Sequence, residues 1–448
     1  MATPMTRPAT LPRPLPLLGH ALRFRREPLE FLESLRPLGS VVMIRLGPKP
    51  AYVINSPDLI RRVLVTDPHA FTTGLLLDKV RPFIGSGLIT TRGATHRRHR
   101  RMLQPAFHRS RIARYADVMR RLAAARADSW QDGQEIVADV EMMELAMAVV
   151  GKTLFSMDFD QDAVDEVVGS MPILLDGIRK RLLAPTDLLE KLPTTDNRRF
   201  NAAIRRVHEV VDRMIVDYRR AGLDHGDLAS MMLLARDEET GEGLSDEEVR
   251  GEVLTMLAAG TQTTATTMAW ALHILSVHDD MQDRAHAEIR EVLGDRAVAS
   301  EDLDRLDYIR RLLSETLRLY PPAWLLSRRT AVEVNLGGHV LPPGVTLLFS
   351  PYALHRDPSI FPDPELFDPD RWLPEREQIP RPAFIPFGAG NRQCLGEGFA
   401  WVEATVVLAT ILSRWQVRPV AGQTIRKVAL ATLVPSRLPL IVKRRRDG

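Results

Sequence analysis

The single cysteine of the sequence and the residues around it are suited to binding a transition metal. Cys394 stands in the stretch F-G-A-G-N-R-Q-C-L-G, residues 387–396 of a 448-residue chain, and has no second cysteine with which to form an intrachain disulfide. A lone cysteine is most often a small buried hydrophobe. Here, however, Gly388, Gly390 and Gly396 would let backbone N–H groups approach the sulfur closely, and such donors stabilise a thiolate ligand. The residue types around Cys394 are therefore compatible with a thiolate that binds a metal.

The same stretch resembles the haem-binding loop of the cytochrome P-450 family, whose pattern is F-x-x-G-x-R-x-C-x-G. The resemblance implies that Cys394 ligates the iron of haem b, because a thiolate ligand favours O–O bond cleavage. It also implies that Arg392 binds a haem propionate and that Phe387 packs beside the sulfur. Gly396 is expected to open a helix over residues 399–412, with its N-terminal dipole facing the sulfur.

Two further motifs stand ahead of the cysteine in the order that the family requires. Glu315 and Arg318 form an E-x-x-R pattern, and Arg371 lies in the stretch F-D-P-D-R-W, residues 367–372. An acid and a base three residues apart on a helix are common and usually form a surface pair. In the family, these three side chains form a buried triad. The resemblance therefore gives them a structural role, which is to hold the cysteine loop.

Basic residues elsewhere in the chain correspond to family positions that bind the haem propionates. His96 and Arg100 form the pattern H-x-x-x-R, and the resemblance implies that both reach the propionates from one helix. Arg328 resembles a further propionate arginine. Arg329 is its neighbour, and the sequence does not distinguish the two. The alternative for His96 and Arg100 is a plain basic helix face.

A long buried helix is predicted to begin after Ser245. Ser245 and Glu248 form a capping-box pattern, and helical character continues to about residue 278. Residues 254–267 carry no charge, so this part of the helix should be buried nearly all round. Its midpoint nevertheless holds Gly260 and several threonines, which are mediocre helix formers. The threonines either bond back to the preceding turn or make room for something there.

The midpoint, residues 259–264 with the sequence A-G-T-Q-T-T, resembles the family's distal-face motif A/G-G-x-D/E-T-T. The resemblance implies that this helix crosses the haem, that Gly260 thins it for oxygen and substrate, and that Thr263 hydrogen-bonds dioxygen during its activation. Gln262 departs from the usual acid. An amide can hydrogen-bond but cannot pass on a proton by titrating. Proton delivery is therefore expected to run through Thr263, Thr264 and water.

The fold class expected is mainly α (α+β), a cytochrome P-450 fold with a helix-rich body and small β-sheets. Helical patterns fill most of residues 111–319. Strands are predicted at 41–46 and 51–54, and a second pair around 337–338 and 345–349. Periodicity fades from residue 350 to residue 398, and so long an irregular stretch is often functional. Residues 1–11 are expected to be disordered or extended, and residues 12–448 to form a single catalytic domain.

Composition and charge exclude several functional classes. The net charge is only +3, and no aromatic residues interleave the basic runs, which argues against nucleic-acid binding. No apolar run approaches the length of a membrane span, and the proline-rich N-terminus lacks the apolar core of a signal peptide. We therefore expect a cytoplasmic protein, a monomer, with no membrane anchor.

The electrons for such an enzyme are expected to come from a ferredoxin and an NAD(P)H-dependent ferredoxin reductase. The basic helix at residues 97–101 should attract the acidic ferredoxin by charge complementarity. The substrate, together with O2, is expected to be a small apolar molecule. Its contacts, taken from mostly apolar segments, are expected to be Phe83, Ile84, Leu174, Leu257, Ala259, Trp324 and Leu325.

The overall pattern is similar to soluble bacterial oxidases of sesquiterpenes, although fatty acids, steroids and macrolides remain open. Gln262 also leaves open a peroxide-using or rearranging haem-thiolate enzyme. A third alternative is a haem sensor that performs no catalysis, against which Thr263 argues, since a mere binder does not need it.

Replacing Gln262 by glutamate tests the departure from the family motif. A carboxylate can relay a proton where an amide cannot, so we expect Gln262→Glu to change the fraction of electrons that ends in product. The measurement compares NAD(P)H consumed with product formed. Equal uncoupling in the two proteins would count against any role for this position.

Overall fold

The computed structural model describes residues 8–12, 14–154, 161–182, 192–222 and 226–445. The predicted N-terminal segment is residues 1–11, and its first seven residues lie outside this part of the chain. Within that segment, Ala9–Thr10 is extended and pairs in parallel with the strand Val41–Leu46, and Leu11 is buried. Residues 9–11 are therefore attached to the main sheet, and the domain begins before residue 12.

Helices form most of the described chain. In chain order they are α1 (Ala21–Arg26), α2 (Pro28–Glu33), α3 (Pro57–Arg61), α4 (Leu75–Ile84), α5 (Gly93–Leu103), α6 (Arg109–Asp128), α7 (Ala138–Leu154), α8 (Gln161–Leu182), α9 (Thr195–Ala221), α10 (Leu228–Leu234), α11 (Asp246–Val277), α12 (Asp279–Leu293), α13 (Asp307–Leu319), α14 (Pro351–Leu354) and α15 (Glu397–Leu412). None of those described combines the length and the apolar character that crossing a bilayer requires.

The strands are short and lie mainly near the two ends of the chain. They are β1 (Ala9–Thr10), β2 (Val41–Leu46), β3 (Lys49–Ile54), β4 (Phe71–Thr73), β5 (Glu135–Val137), β6 (Leu326–Thr330), β7 (Val334–Leu336), β8 (His339–Leu341), β9 (Thr346–Phe349), β10 (Trp415–Pro419), β11 (Lys427–Ala429), β12 (Leu433–Pro435) and β13 (Pro439–Arg444). The largest sheet has the order β1-β2-β3-β9-β6-β4, and β10-β13-β5 form a second.

The β2–β3 hairpin agrees with its prediction, but the second predicted pair is wrong in its partner. β7 and β8 pair with each other across the glycines at 337–338, whereas β9 pairs with β3 in parallel and with β6 antiparallel. Local turn residues predicted the hairpin. The partners of β9 come from distant parts of the chain, which no local pattern specifies.

The long helix α11 has the predicted start and end. The Ser245 side chain accepts from the Glu248 backbone N–H, and the Glu248 side chain accepts from the Ser245 N–H, so the capping box is complete. The helix packs against α7, α9 and α15. Near its C-terminal end, Trp270 donates to the Leu433 carbonyl at 2.9 Å and stacks on Tyr320. Fixed at both ends, α11 forms the axis of the helical body.

Two glycines let a loop lie directly on α11. A Cβ built on Gly251 would stand 2.7 Å from the Gly87 backbone nitrogen, and a Cβ on Gly87 would overlap the Gly251 carbonyl oxygen. Real Cβ atoms do not make such contacts, so each glycine is required by the other. This contact fixes the segment between α4 and α5, residues 85–92, against the central helix.

Substitution of Gly251 tests this close packing. We expect Gly251→Ala to lower the free energy of unfolding by about 2 kcal/mol, because the added methyl group forces α11 and residues 86–87 apart. Gly151→Ala is the matched control: it lies in helix α7, and its Cβ would have open space within 4 Å. That variant should be neutral or gain up to about 1 kcal/mol. The check is urea unfolding of all three proteins, and equal stability would contradict the contact.

Candidate active site

The cysteine loop has the backbone that its glycines predict. The Cys394 N–H donates to the Phe387 carbonyl at 2.9 Å, which closes the loop. Gly388 and Gly390 have φ values of +69° and +72°, a region that other residues rarely adopt. A Cβ on Gly390 would also overlap the Leu64 carbonyl oxygen. The loop is therefore seated on the turn of chain that follows α3.

The Cys394 side chain is exposed to a space that the surrounding protein encloses. Its surface is accessible, yet burial raises the pKa of the Cys394 thiol, while the backbone N–H of Gly396 and the charge of Arg100 lower it. Phe387 lies beside the loop with its ring 5.9 Å from that of Trp401. The following helix, α15, begins at Glu397, two residues earlier than predicted, with Gly396 as its N-cap residue.

The three residues of the predicted triad are in contact. Arg318 donates two hydrogen bonds to the Glu315 carboxylate, at 2.7 and 2.8 Å, and neither side chain has exposed surface. Arg371 donates to the same carboxylate at 3.3 Å, and Trp372 donates its indole N–H at 3.0 Å. The backbone N–H of Asp368 also donates to it at 3.0 Å, and five donors on one carboxylate explain why a buried charge is tolerated here.

His355, which the sequence analysis missed, joins this triad to the cysteine loop. Its Nδ1 donates to the Arg318 carbonyl at 3.2 Å, and its Nε2 accepts from the Ile385 N–H at 3.1 Å. Because one ring nitrogen accepts, the imidazole is neutral, and complete burial lowers its pKa to about 3. No spacing in the sequence marks this residue, since its partners lie 30 and 37 residues away.

A cluster of cationic side chains adjoins the cysteine loop. Arg100 donates to the Gln393 carbonyl at 2.8 Å, and Arg392 donates to the carbonyls of the 85–92 segment. Burial lowers the pKa of Arg328 to about 10, and burial together with the charges of Arg328 and Arg100 lowers that of Arg392 to about 10. Within the residues described, none of these three arginines forms an ion pair with a carboxylate.

His96 lies buried within the same cluster. Burial, followed by the charges of Arg392 and Arg100, lowers the pKa of His96 to about 3, so it is neutral at physiological pH. A neutral imidazole can still donate one N–H. Three guanidinium groups and this donor, without an acidic partner, form a place suited to an anion with several oxygen atoms.

The structure separates Arg328 from Arg329. The two residues are neighbours on β6, so they point to opposite faces of the sheet. Arg329 forms an ion pair with Asp78 at 3.6 Å, and Arg92 pairs with the same carboxylate. Arg328 makes a hydrogen bond only to the Ser327 carbonyl among the residues described. Arg328 is therefore the member of the pair that belongs to the cationic cluster.

Two arginine side chains of the basic helix that was expected to attract a ferredoxin form ion pairs within the protein. Arg98 contacts Glu248 at 2.9 Å, and Arg101 contacts Asp237 and Glu239 at 2.7 and 2.8 Å. Arg97 is exposed. The charge available to a partner on this helix is thus smaller than the sequence indicates, because neighbouring acids that are distant in sequence neutralise it.

The middle of α11 opens to accessible space on one side only. Ala259 is exposed and Thr263 half-buried, one helical turn apart, although most of the helix around them is buried. The Thr263 hydroxyl donates to the Ala259 carbonyl at 2.6 Å, and the Thr264 hydroxyl donates to the Gly260 carbonyl at 3.1 Å. Both threonines therefore bond back to the preceding turn, while Thr263 keeps accessible surface.

The expected roles of Gly260 and Gln262 need correction. A Cβ on Gly260 would stand 3.2 Å from Val150, so its missing side chain lets α7 approach, and Ala259 faces the accessible space instead. Gln262 is buried and donates to Thr266 at 3.4 Å. Its side-chain oxygen has no hydrogen-bond partner in the described part of the chain.

Of the expected substrate contacts, two keep accessible surface. Ala259 is exposed and Leu325 half-buried. The others are buried in hydrophobic clusters: Phe83, Ile84, Leu174, Leu257 and Trp324. Trp324 is a correction, because its indole donates to the Leu430 carbonyl at 3.0 Å and its ring faces Phe24, on the side of the N-terminal strands.

A buried acid behind α11 also escaped the sequence analysis. Glu403 on α15 has no exposed surface, and neither carboxyl oxygen has a well-aligned hydrogen bond within the residues described. Burial raises the pKa of Glu403 well above its ordinary value, and the nearby Thr264 hydroxyl offsets this only in part. The apolar run of α15 predicts a buried helix, which could have marked its one inward acid as unusual.

Comparison of the whole chain with known proteins identifies its family. Residues 9–441 match the cytochrome P-450 family. The chain belongs to that family. Its mainly helical fold with small sheets is the P-450 fold, and the protein is a cytochrome P-450 monooxygenase that takes a haem-thiolate iron cofactor.

Similar P-450 enzymes come from Streptomyces. The chain is 45% identical to the cyclooctat-9-en-7-ol 5-monooxygenase of Streptomyces melanosporofaciens, over 97% of this chain and 95% of that protein. It is 45% identical to cyclooctatin synthase of the same organism, over 98% and 96% of the two chains. It is 40% identical to the pentalenene oxygenase of Streptomyces avermitilis, over 98% of each.

The residues present fit a haem-thiolate cofactor. The accessible sulfur of Cys394 is a soft ligand for iron. The guanidinium groups of the cationic cluster beside it have no carboxylate partner among the described residues, which is what two carboxylate groups on the rim of a porphyrin require. The donor set and its charge therefore agree with the family's cofactor on independent grounds.

Glu403→Gln tests whether that buried acid is protonated. As the pH rises above the pKa of an unfolded glutamate, the unfolded chain loses a proton that the folded chain keeps, so stability is lost. We expect Glu403→Gln to remove this loss, so that its stability relative to the wild type increases between about pH 5 and about pH 8.

Glu315→Gln is the matched comparison for this prediction. It should destabilise the protein strongly at both pH values, because it removes the charge that Arg318 and Arg371 require. The measurement is urea unfolding of the three proteins at each pH. A Glu403→Gln variant that is less stable than the wild type at the higher pH would show that this carboxyl is ionised.

Proposed function

We propose that the protein inserts one atom of O2 into a small terpenoid, using haem b bound through Cys394 and electrons from a separate ferredoxin and ferredoxin reductase. The observation that supports this most is the accessible sulfur in a glycine-built loop beside guanidinium groups that lack carboxylate partners. The haem, when bound, supplies the activation of oxygen.

Cys394 is the proposed ligand of the iron, and the cationic cluster binds the haem carboxylates. Arg392 belongs to the cysteine loop itself, Arg100 contacts that loop from α5, and Arg328 approaches from β6. His96 donates a hydrogen bond as a neutral imidazole. Gly388 and Gly396 position backbone around the sulfur, and Phe387 with Trp401 excludes water from one side.

Thr263 is the proposed catalytic residue of α11. Its hydroxyl, bonded to the Ala259 carbonyl, faces accessible space and can donate to or accept from a water molecule there. Thr264 lies behind it, near Glu403. Gln262 points away toward Thr266, so it holds the helix rather than carrying protons.

The terpenoid class of substrate is supported by the relatives and by the lining. The names of the three Streptomyces relatives refer to cyclooctat-9-en-7-ol, cyclooctatin and pentalenene. Ala259 and Leu325, the two expected contacts with accessible surface, are apolar. An apolar wall with few polar anchors suits a hydrocarbon-like ligand.

The electron donor and the location form part of the same proposal. Arg97, exposed on α5, offers the ferredoxin a small basic surface. We place the protein in the cytoplasm, because its single cysteine must stay reduced to serve as a ligand. We propose that it acts as a monomer.

The decisive experiment is the visible spectrum of the reduced, carbon-monoxide-treated protein. A thiolate-ligated haem gives a strongly red-shifted Soret band, and we expect that band in the wild type and its loss in Cys394→Ser. The matched control is Asn391→Ser, an exposed position in the same loop. A wild type without the band, or a serine variant that keeps it, would contradict the proposed ligand.

Ligand titrations then test the substrate class. Pentalenene, a fatty acid, a steroid and a macrolide are added separately to the ferric protein, and the displacement of water from iron is followed as a shift of the Soret band. We expect the tightest binding for the terpene. Binding of one of the other classes at ten-fold lower concentration would replace the terpenoid proposal.

A second candidate is a peroxide-using enzyme with the same ligand. The observation that favours it is Gln262, an amide where a titrating acid is usual, with its oxygen unpartnered in the described chain. Turnover with peroxide alone, at a rate equal to that with ferredoxin and its reductase, would support this alternative.

A further inference from the structure

A buried histidine on α5 lies between two glutamates of α11. The His99 Nδ1 is 2.5 Å from a Glu252 oxygen, and its Nε2 is 3.1 Å from a Glu248 oxygen. His99 and Glu252 have no exposed surface. Arg98 contacts the same Glu248 oxygen at 2.9 Å. Two ionisable residues of α5 and two of α11 are thus joined at the place where α5 crosses the start of α11.

The geometry favours a positive charge on His99. Carboxylate oxygens only accept hydrogen bonds when ionised, so an imidazole that faces one at each nitrogen must donate from both. Burial lowers the pKa of His99, but the hydrogen bonds and charges of Glu252 and Glu248 outweigh it and raise that pKa. Burial raises the pKa of Glu252, whereas the contacts with His99 and the Leu88 N–H lower it, so the charge of this pair depends on both partners and the contact itself holds α5 to α11.

Glu252 extends this network to the loop that covers the central helix. Its second oxygen accepts from the Leu88 N–H at 3.0 Å. The Leu88 carbonyl in turn accepts from Arg392 of the cysteine loop at 3.3 Å, and the Thr91 carbonyl accepts from the same guanidinium at 2.5 Å. Leu88 is thus held on one side by α11 and on the other by the cysteine loop. Its neighbour Gly87 also touches α11.

Helix α5 links His99 to the cationic cluster, because it also carries His96 and Arg100. His96 and Arg100 are four residues apart and share one face of the helix, and His99 lies between them in sequence on the neighbouring face. A short helix moves as a unit, so the contact that fixes His99 against α11 also fixes the depth at which His96 and Arg100 meet the cysteine loop.

We propose that His99 and Glu252 are positioning residues for the haem: their pairing sets where α5, with His96 and Arg100, meets the carboxylates of the cofactor. The inference rests on the proposed function, since it assumes haem bound through Cys394. It adds a role for two residues that touch neither the iron nor the substrate. The same pair connects α11 to the cysteine loop through Leu88.

The test measures how firmly the holoprotein keeps its haem. We expect His99→Gln and Glu252→Gln each to transfer haem to excess apomyoglobin about ten-fold faster than the wild type, since the loss of partners behind a ligand typically costs ten-fold or more. The matched control is Arg101→Gln, which breaks an ion pair of the same helix with Asp237 but leaves α11 untouched. Its transfer rate should stay within two-fold of the wild type.

Two further readouts separate positioning from general destabilisation. The reduction potential of the haem should become more negative in His99→Gln, because a displaced Arg100 neutralises the haem carboxylates less and a displaced His96 no longer donates to them, and it should not change in Arg101→Gln. The double variant His99→Gln with Glu252→Gln should recover part of the retention, since two amides can hydrogen-bond without a buried unpaired charge.

The outcomes distinguish this inference from the proposed function. Equal haem transfer in His99→Gln and Arg101→Gln would overturn the positioning role, as would faster transfer with an unchanged potential. A wild type that shows no red-shifted band with carbon monoxide would overturn the proposed ligand, and the inference with it. The band in the wild type, with faster transfer and a lower potential in His99→Gln, supports both.

Discussion

The structure depends on holding one sulfur atom at the edge of an enclosed space by means of a loop that has no regular secondary structure. Backbone contacts alone would leave such a loop mobile, and three attachments fix it. Gly390 lies against the Leu64 carbonyl, Arg392 grips the segment between α4 and α5, and His355 ties Ile385 to the Glu315 triad. Each attachment uses a part of the chain far from Cys394, so the ligand is positioned only when the whole domain is folded.

The same arrangement makes the site a place of unbalanced positive charge. Arg328 and Arg392 are half-buried, and neither meets a carboxylate within the described chain. Buried charges without partners oppose folding, so a dianionic cofactor should stabilise the protein by binding the folded state alone. The neutral His96 fits this balance, because a fourth cation at that position would add to the repulsion.

The middle of α11 must leave accessible space on one face, although most of this helix is tightly packed. Ala259 and Thr263 supply that space with small side chains on one face, while Gly260 serves the packing of α7 on another. The acid that the family usually places at residue 262 is an amide here, and the buried acid nearest to the threonine pair is Glu403 on the neighbouring helix. Charge in this region is thus kept out of α11 itself.

The sequence by itself indicated the proposed ligand, and it determined the family, the ends of the central helix and the residues of the triad, because these are recorded in spacings of ten residues or fewer or in a shared motif. Only the tertiary structure decided which of Arg328 and Arg329 joins the cationic cluster, since that depends on which face of β6 meets Asp78. It also decided that Arg98 and Arg101 are paired, that Trp324 is packed away, and that His99, His355 and Glu403 are buried. Their partners are brought together from distant segments, and a charge or a ring acquires its role only from the neighbours that folding supplies.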